Sequence, residues 1–310
     1  MTLFTPFTRF LSRACTDTGY NHLRGVFWKF VSTTCFAVIS MLACWMQKKG
    51  THLSPSVVAF FQVGVPFLGL ALWHIQSPRS FCASVITRAP LWAVARSMMA
   101  SLAFLGWFCA LRIYPLSIAV SFRLMAPLVT FLAALWLLKE TTTRARFGAL
   151  CLLLLAAPIL IRQEVWSAQF HHQGTPLEAW LLPVVFIVGY VGANVAAKKM
   201  LVSVPPYDAT LSLLGLNSLF IGTAAALTWS MPTGEEWLFL LLIGGIEWLA
   251  QWSLAKALSL TDLNVLAPLS LWRFAISALF GVLFLGEMVS GMFVIGMVVM
   301  IAATPFVIRR

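Results

Sequence analysis

The feature that most constrains this fold is a series of apolar blocks, each about twenty residues long, which is the length needed to cross a bilayer as a helix. Lipid offers no partner for a backbone N–H or C=O group, so such blocks must be helices. Only 10% of the 310 residues are charged, whereas a soluble domain carries about a quarter. The sequence therefore predicts an all-α polytopic membrane protein.

The blocks predict ten transmembrane helices, which divide the chain into four regions. Residues 1–25 form a cytoplasmic lead-in, 26–161 hold the first five spans, 162–178 form an external loop and 179–308 hold the last five. Prolines at span starts support these boundaries. The predicted spans are 27–46, 56–74, 90–110, 115–138, 145–161, 179–198, 208–229, 236–256, 263–285 and 291–308.

The distribution of basic residues predicts the orientation of the spans. If the N-terminus is inside, the inner segments carry about fourteen Lys and Arg, Lys29 among them, and the positive-inside rule then places both termini in the cytoplasm of a cell with an inner membrane. A net charge of +11 would suggest nucleic acid in a soluble protein, but here the charges lie singly or in pairs between spans, so no nucleic acid is expected. Four basic residues remain outside: Lys48, Lys49, Arg112 and Arg162. Of these, Lys48 and Lys49 are exceptions that the sequence does not explain.

Two segments indicate an internal repeat. ALRIYPLSIAVSFRLMAPLVTFLAALWLLKE ends at Glu140, and ALSLTDLNVLAPLSLWRFAISALFGVLFLGE ends at Glu287. They align without a gap, and both end in a glutamate at the same helix end. Leucine matches alone would reflect only shared composition. A unit of five spans is odd, so the second copy enters the membrane from the opposite side, and such five-plus-five inverted repeats hold a binding site near the midplane.

These two segments resemble the EamA-like branch of the drug/metabolite transporter superfamily, and the resemblance covers residues 26–308. It implies ten spans arranged as a five-plus-five inverted repeat. It also implies a central cavity lined mainly by spans 1, 3, 4, 6, 8 and 9. Members of this family move amino acids, nucleotide-related metabolites and other small organic molecules, so the resemblance leaves the substrate open.

Four ionisable residues lie well inside predicted spans, where each charge costs about 2.5–3.5 kcal/mol. Arg273 is near the midplane of span 9, and we expect it to bind an anionic group of the substrate. Arg123 in span 4 is its counterpart in the repeat, offset by nearly one helical turn, and is expected on the opposite wall. Arg96 lies nearer a span end, where snorkelling to the interface is an alternative. The four are Arg96, Arg123, Glu247 and Arg273.

The only deep carboxylate, Glu247, shares a helix face with Gln251. One interpretation is an ion pair between Glu247 and an arginine that merely ties two spans together. The other is a site in which Glu247 binds an amino or cationic group of the substrate. Three deep arginines face one glutamate, so one pair would leave two guanidinium groups without an anion, which favours a substrate with negative charge.

Further polar and aromatic residues are weaker candidates for the site. Tyr190 and Asn194 share a face of span 6 and could line the cavity or join helices. Tryptophans away from the span ends could bind a flat ring near the arginines, although bulk packing is the commoner role. These tryptophans are Trp107, Trp248, Trp252 and Trp272.

The sequence favours a carrier over other classes of membrane protein. All five histidines lie outside the middle of the spans, and no HExxH, GxSxG or P-loop pattern occurs, so no catalytic residue, metal site or cofactor is predicted. We therefore expect a secondary transporter of a small organic metabolite, amino-acid-related or similar to S-adenosylmethionine. An exporter of amino acids or drugs, a lipid-modifying enzyme and a non-transporting scaffold are the alternatives. The expected partners of the protein are the bilayer and a small-molecule substrate, and a homodimer is compatible with the sequence.

Overall fold

The computed structural model describes residues 17–73, 89–113, 116–152, 154–155, 176–285 and 291–308, and all regular structure in these ranges is helical. Most of the predicted loop 162–178 and the repeat residue Glu287 lie outside them. In chain order the described helices are α1 (Asp17–Lys48), α2 (Pro55–Trp73), α3 (Pro90–Ile113), α4 (Leu116–Leu137), α5 (144–152), α6 (Pro176–Met200), α7 (Pro206–Ala226), α8 (Gly234–Leu260), α9 (Leu263–Leu269), α10 (Trp272–Leu285) and α11 (Gly291–Ile308).

Five helices in this described part of the chain are long and apolar enough to cross a membrane. They are α1, α2, α6, α7 and α8, with the qualifying stretches Tyr20–Ala43, Ser56–Trp73, Leu181–Met200, Pro206–Ala226 and Gly234–Leu260. Two shorter apolar stretches lie at Met125–Leu137 and Leu263–Ser277. The all-helical fold is thus confirmed for the described residues, whereas the count of ten spans stays a prediction.

The first helix begins at Asp17, ten residues before the predicted start of span 1. The added turns are helical because they pack on the connection between α8 and α9. A Cβ atom on Gly25 would lie 2.0 Å from Oγ1 of Thr261, so only glycine permits this approach. The Thr261 hydroxyl also donates a 3.1 Å hydrogen bond to the carbonyl of His22. Residues 17–25, which the sequence predicted as part of the lead-in, therefore belong to α1.

The ninth predicted span is not one helix but two, α9 and α10, which meet at Ser270 and Leu271. Pro268 has no backbone N–H to continue the α-helical ladder. Around it the bonds shorten to an i−3 pattern, with the N–H of Ser270 donating to Ala267 and that of Leu271 donating to Pro268. The predicted span 263–285 is therefore interrupted near its first third.

Two groups of helices face each other across the bundle. The most extensive contacts pair α3 with α6 and α8 with α1. Helix α4 packs on α6, and α10 packs on α1. One wall therefore consists of α1, α8 and α10, and the other of α3, α4 and α6. Helix α9 crosses to pack on α4, while α2 and α7 pack on each other.

The wall formed by α3 and α6 depends on glycine. A Cβ atom on Gly189 would lie 2.6 Å from both the backbone N of Ala103 and the carbonyl O of Met99. These are backbone atoms, so α6 would have to move away from α3 to admit even a methyl group.

Replacing Gly189 by alanine is therefore expected to destabilise the protein by about 1–3 kcal/mol, the usual cost of overpacking. Gly245→Ala is the matched control, because nothing lies within 4 Å of a Cβ atom there. That change should be neutral or stabilise by up to about 1 kcal/mol, since alanine favours helix. Thermal unfolding of the detergent-solubilised variants measures both. Equal unfolding temperatures for the two variants would contradict the close packing of α3 on α6.

The end of the bundle that holds the C-terminus of α1 is joined by polar contacts, and we name it the Lys49 end. Lys49 Nζ donates to a carboxylate oxygen of Glu235 at 2.8 Å. Thr51 donates to Glu236, and the Ser56 and Thr228 hydroxyls lie 2.7 Å apart. The pairing with Glu235 supplies a local reason for Lys49, which the predicted orientation makes an exception to the positive-inside rule. The Lys48 side chain lies outside the described residues.

Candidate functional site

A small cavity of about 10 Å³, room for about one water molecule, lies between the two walls of the bundle. Tyr190 and Asn194, which the sequence predicted to share a face of span 6, line it. The lining residues from α8 and α9 are apolar. The Asn194 amide donates to the carbonyl of Tyr190 at 2.8 Å, within its own helix. The lining residues are Lys29, Thr130, Tyr190, Asn194, Leu254, Leu258, Leu263, Leu266, Ala267 and Ser270.

Helical spacing explains how the cavity connects to the deeper polar residues. On α8, Leu258 and Leu254 continue one stripe with Gln251 and Glu247, because intervals of three and four residues keep side chains on one face. On α1, the residues at 29, 33, 36 and 40 form an equivalent stripe. Each stripe begins at the cavity and leads toward the middle of the bundle.

Glu247 is fully buried, at 0% exposure, and both of its carboxylate oxygens accept hydrogen bonds from amides. Gln62 of α2 donates to Oε2 at 2.7 Å, and Gln251 donates to Oε1 at 2.7 Å. We call these three residues the Glu247 triad. The ion pairs found among the described residues are elsewhere, so the ion pair between Glu247 and an arginine, one of the two interpretations of the sequence, is not seen there. The carboxylate is instead held by neutral donors.

Arg273 of α10 contacts α1, which belongs to the same wall. Its Nη2 donates to the hydroxyl of Ser40 at 2.6 Å, and its guanidinium carbon lies 5.2 Å from the centroid of the Phe36 ring. The guanidinium also interacts electrostatically with Glu247 and with Tyr190, which lines the cavity. Arg273 is therefore near both the triad and the cavity, as its proposed role requires.

Lys29 lines the cavity, and the sequence analysis placed it among the cytoplasmic charges. The extra turns of α1 put it inside the bundle, where only 6% of the residue is exposed. Among the described residues, no carboxylate lies within ion-pair distance of it. The signal in the sequence is the run VFWKFV, a lysine with apolar residues on both sides.

Tryptophans form a stack beside the triad. The rings of Trp248 and Trp252 are 5.7 Å apart and nearly parallel, at 7°. Trp28 meets Trp252 edge-on at 5.2 Å, and the ammonium of Lys256 lies 4.1 Å from the Trp252 ring centroid. The buried indole N–H of Trp248 has no hydrogen-bond partner within the described residues. Because positions 248 and 252 adjoin 247 and 251, the stack borders the triad.

The remaining predicted residues have structural contacts. Arg96 is 3% exposed and donates to the carbonyl of Ala209 at 2.8 Å, so it joins α3 to α7 and neither lines the cavity nor snorkels. Trp272 donates to Thr304 at 2.9 Å and joins α10 to α11. Trp107 packs on Phe186 of α6, with ring centroids 5.9 Å apart.

Arg123 belongs to α4, and its side chain lies outside the described residues. Seven residues separate it from the cavity residue Thr130 along α4. That interval is nearly two helical turns, so both positions occupy one face of the helix. A role for Arg123 opposite Arg273 therefore stays a prediction.

The two walls are joined beside the cavity by contacts that we name the Glu140 lock. The Glu140 carboxylate accepts hydrogen bonds from the backbone N–H groups of Leu263 and Asn264, at 2.9 and 2.8 Å, at the start of α9. Lys198 of α6 donates to the carbonyls of Leu258 and Thr261, at 2.8 and 2.6 Å. Burial raises the pKa of the Glu140 carboxyl, and the two backbone N–H groups oppose that rise. The lock assigns a structural role to the first repeated glutamate.

The known proteins that are similar to this chain include two curated transporters and one solved structure of the same fold. A riboflavin transporter of Rhizobium johnstonii is 26% identical over 287 residues, 92% of this chain and 91% of that protein. An S-adenosylmethionine uptake transporter of Rickettsia prowazekii is 21% identical over 296 residues, 94% of this chain and 95% of that protein. A protein known from a crystal structure is similar with a TM-score of 0.74 at 16% identity, over 91% of this chain and 95% of its own.

No protein-family model matches the chain. The curated relatives span almost its whole length, so their likeness concerns the complete helical bundle and not one segment. Together with the five membrane-length helices, they show that this chain is a helical membrane protein related to small-metabolite transporters rather than to enzymes.

Proposed function

We propose that the chain is a secondary transporter of the EamA-like kind, with ten spans, that carries a small organic metabolite with an anionic group across the inner membrane. Both termini face the cytoplasm in this proposal. The observation that carries it is the cavity between two helical walls, together with the buried Arg273 and Glu247 triad, which lie further along the same faces of α1 and α8. A binding site between two walls suits alternating access.

The helix contacts support the proposed five-plus-five inverted repeat. If the first five spans correspond in order to the last five, the α3–α6 pair corresponds to the α8–α1 pair, and these two pairs make the most extensive contacts. The α4–α6 contact then corresponds to the contact of α1 with the ninth span, which α10 makes. The same pairing is expected of two copies related by a pseudo-two-fold axis.

Two matching cation–aromatic contacts support the repeat independently. Lys49 lies 5.7 Å from the Phe239 ring centroid, and Lys199 lies 4.8 Å from that of Trp92. Lys199 follows Lys49 by 150 residues, and Phe239 follows Trp92 by 147, the offset of the aligned segments. Each contact joins the end of the first helix of one half to the third helix of the other.

The site favours a substrate that combines a flat ring with charged groups. The tryptophan stack can accept a ring, Arg273 can bind a carboxylate, and the Glu247 triad can accept an amino group. S-Adenosylmethionine has all three features, and one relative is named for its uptake. A flavin is the second candidate, because the other relative is named for riboflavin and a flavin ring is larger and flatter.

Counterflow in proteoliposomes tests the proposal. Vesicles loaded with S-adenosylmethionine or riboflavin should take up the labelled compound faster than empty vesicles, because a carrier returns faster when loaded. We expect proton ionophores to have no effect, since the deep carboxylate Glu247 is already held by two amides near Arg273.

The matched variant is Glu247→Gln. If transport is exchange, this variant should still show no dependence on a pH gradient. Accumulation driven by a pH gradient and lost in Glu247→Gln would replace exchange by proton coupling through Glu247. Gradient-driven accumulation that survives the substitution would exclude both mechanisms, and non-saturable flux without acceleration by internal substrate would indicate a channel.

A further inference from the structure

We propose that Lys29 contacts the substrate and holds its anionic group, a carboxylate or a phosphate, in the cavity next to the Glu140 lock. This inference rests on the proposed transport function and adds a residue to its site. Lysines near the end of a membrane helix usually extend their ammonium group to the interface. Lys29 instead lines a cavity that is shared by α1, α4, α6, α8 and α9.

The charges around Lys29 favour a bound anion. Its ammonium group is in the electrostatic field of Arg273, which repels it, and of Tyr190. The one carboxylate in the bundle interior near Arg273 is Glu247, and both of its oxygens already accept amide hydrogen bonds. The carboxylates described beside the cavity, Glu247 and Glu140, are each held by two hydrogen bonds, and neither forms an ion pair with Lys29 or Arg273. An incoming anion would balance the charge of these two cations.

A comparison with Lys198 argues against a purely structural role for Lys29. Lys198 donates to two backbone carbonyls and thereby joins α6 to the end of α8. The hydrogen bond described for Lys29 uses only its carbonyl, which accepts from the hydroxyl of Thr33 at 2.8 Å. In the described part of the chain, the Lys29 ammonium thus joins no helices in the way Lys198 does.

The cavity also provides neutral groups that can complete the binding of an anion. Thr130, Asn194 and Ser270 come from three helical elements and carry hydroxyl or amide donors. Along α1, seven residues separate Lys29 from Phe36, over which Arg273 lies, and this interval corresponds to about 10 Å. One substrate anion between Lys29 and Arg273 would therefore face both cations.

The first test requires no knowledge of the substrate. Purified protein is unfolded thermally with and without inorganic phosphate or acetate at constant ionic strength, for the wild type, Lys29→Gln and Lys199→Gln. Lys199 is the matched control because it lies over Trp92, away from the tryptophan stack, and does not line the cavity. One of the anions should raise the unfolding temperature of the wild type and of Lys199→Gln, and leave that of Lys29→Gln unchanged. An equal rise in Lys29→Gln, or none in the wild type, would overturn the proposal.

A measurement on the wild type covers the case in which Lys29→Gln does not fold. An amine-reactive reagent is applied with and without phosphate or acetate, and modification is quantified residue by residue by mass spectrometry. The stabilising anion should protect Lys29 at least severalfold and leave Lys199 unaffected. Modification of Lys29 that the anion does not change would count against the anion site.

Transport assays then separate the two sources of the anion. Riboflavin 5′-phosphate is compared with riboflavin, and S-adenosylmethionine with its decarboxylated analogue, in the wild type and Lys29→Gln. The substitution should raise the apparent KM of one anionic compound about tenfold, equal to about 1.4 kcal/mol, and change that of its partner compound less than about twofold. A selective rise in KM for riboflavin 5′-phosphate identifies a phosphate, and one for S-adenosylmethionine identifies a carboxylate. Equal changes in KM within both pairs of compounds contradict the proposal. Anion protection of Lys29 without transport of any of these compounds would support the anion site and contradict the proposed substrates.

Discussion

Replacing Arg273 by glutamine is expected to reduce transport at least about a hundredfold while the protein still inserts and stays monodisperse. Hydrogen bonds to a charged group contribute about 1.5–3 kcal/mol each, so the loss of two such bonds to a substrate carboxylate accounts for this factor. Glutamine can still donate to Ser40, so the contact with α1 is kept. Initial exchange rates in proteoliposomes, with size-exclusion profiles of the same preparations, measure the effect.

Arg96→Gln is the matched control for Arg273→Gln. Both residues are deep arginines with one described hydrogen bond, but Arg96 donates to a carbonyl of α7 and does not line the cavity. Its replacement should lower thermal stability and leave the apparent substrate affinity nearly unchanged. Normal transport by Arg273→Gln would refute the assignment, and aggregation of that variant alone would show that Arg273 is structural.

Replacing Glu140 by alanine is expected to release the start of α9 and open the Glu140 lock. The carboxylate binds two backbone N–H groups at a helix N-terminus, where a negative charge is favourable. Losing such a capping interaction costs about 0.5–2 kcal/mol. A cysteine introduced by Thr130→Cys in a cysteine-free background should then react at least about tenfold faster with a membrane-impermeant maleimide, because 1.4 kcal/mol changes the open population tenfold.

The control breaks a contact at the other end of the bundle. Glu235→Gln removes the exposed pair with Lys49, which is worth about 0–1 kcal/mol, and should leave the reactivity of the cysteine at position 130 unchanged. Lys198→Gln removes the second part of the lock and should act in the same direction as Glu140→Ala. Unchanged labelling in both lock variants would show that these contacts do not limit access to the cavity.

The positions of the helices could be predicted closely from the sequence because length and apolar content decide where a membrane helix runs. The helix boundaries that were predicted wrongly depend on contacts between residues far apart in the sequence. The early start of α1 requires the approach of Gly25 to Thr261, which are far apart in sequence. The break before α10 follows Pro268, yet Pro127 lies within an uninterrupted α4. A proline alone therefore does not determine an interruption.

Part of the candidate site could be predicted, because helical spacing is a local property of the sequence. Helical spacing correctly grouped Tyr190 with Asn194, because a face is a local property of one helix. An arginine was one of the two partners considered for Glu247, the other being the substrate. The described partners are Gln251, on the same helix, and Gln62, which belongs to another helix and lies 185 residues away. Lys29 was missed because counting basic residues treats a lysine near a span end as a loop charge. Its burial follows only from the packing of α1 in the bundle.

The ion pair of Lys49 with Glu235 has a consequence for the ancestry of the chain. An upside-down copy of a membrane unit carries its cytoplasmic lysines to the face where basic residues hinder correct insertion. In the proposed duplication Lys49 is the twin of Lys199, and Glu235 is the twin of Arg88. Each lysine has kept its aromatic neighbour, while the residue beside the misplaced one is acidic. Within the proposed duplication, an acid in place of a base at this one position would neutralise a lysine that the predicted orientation puts on the external face.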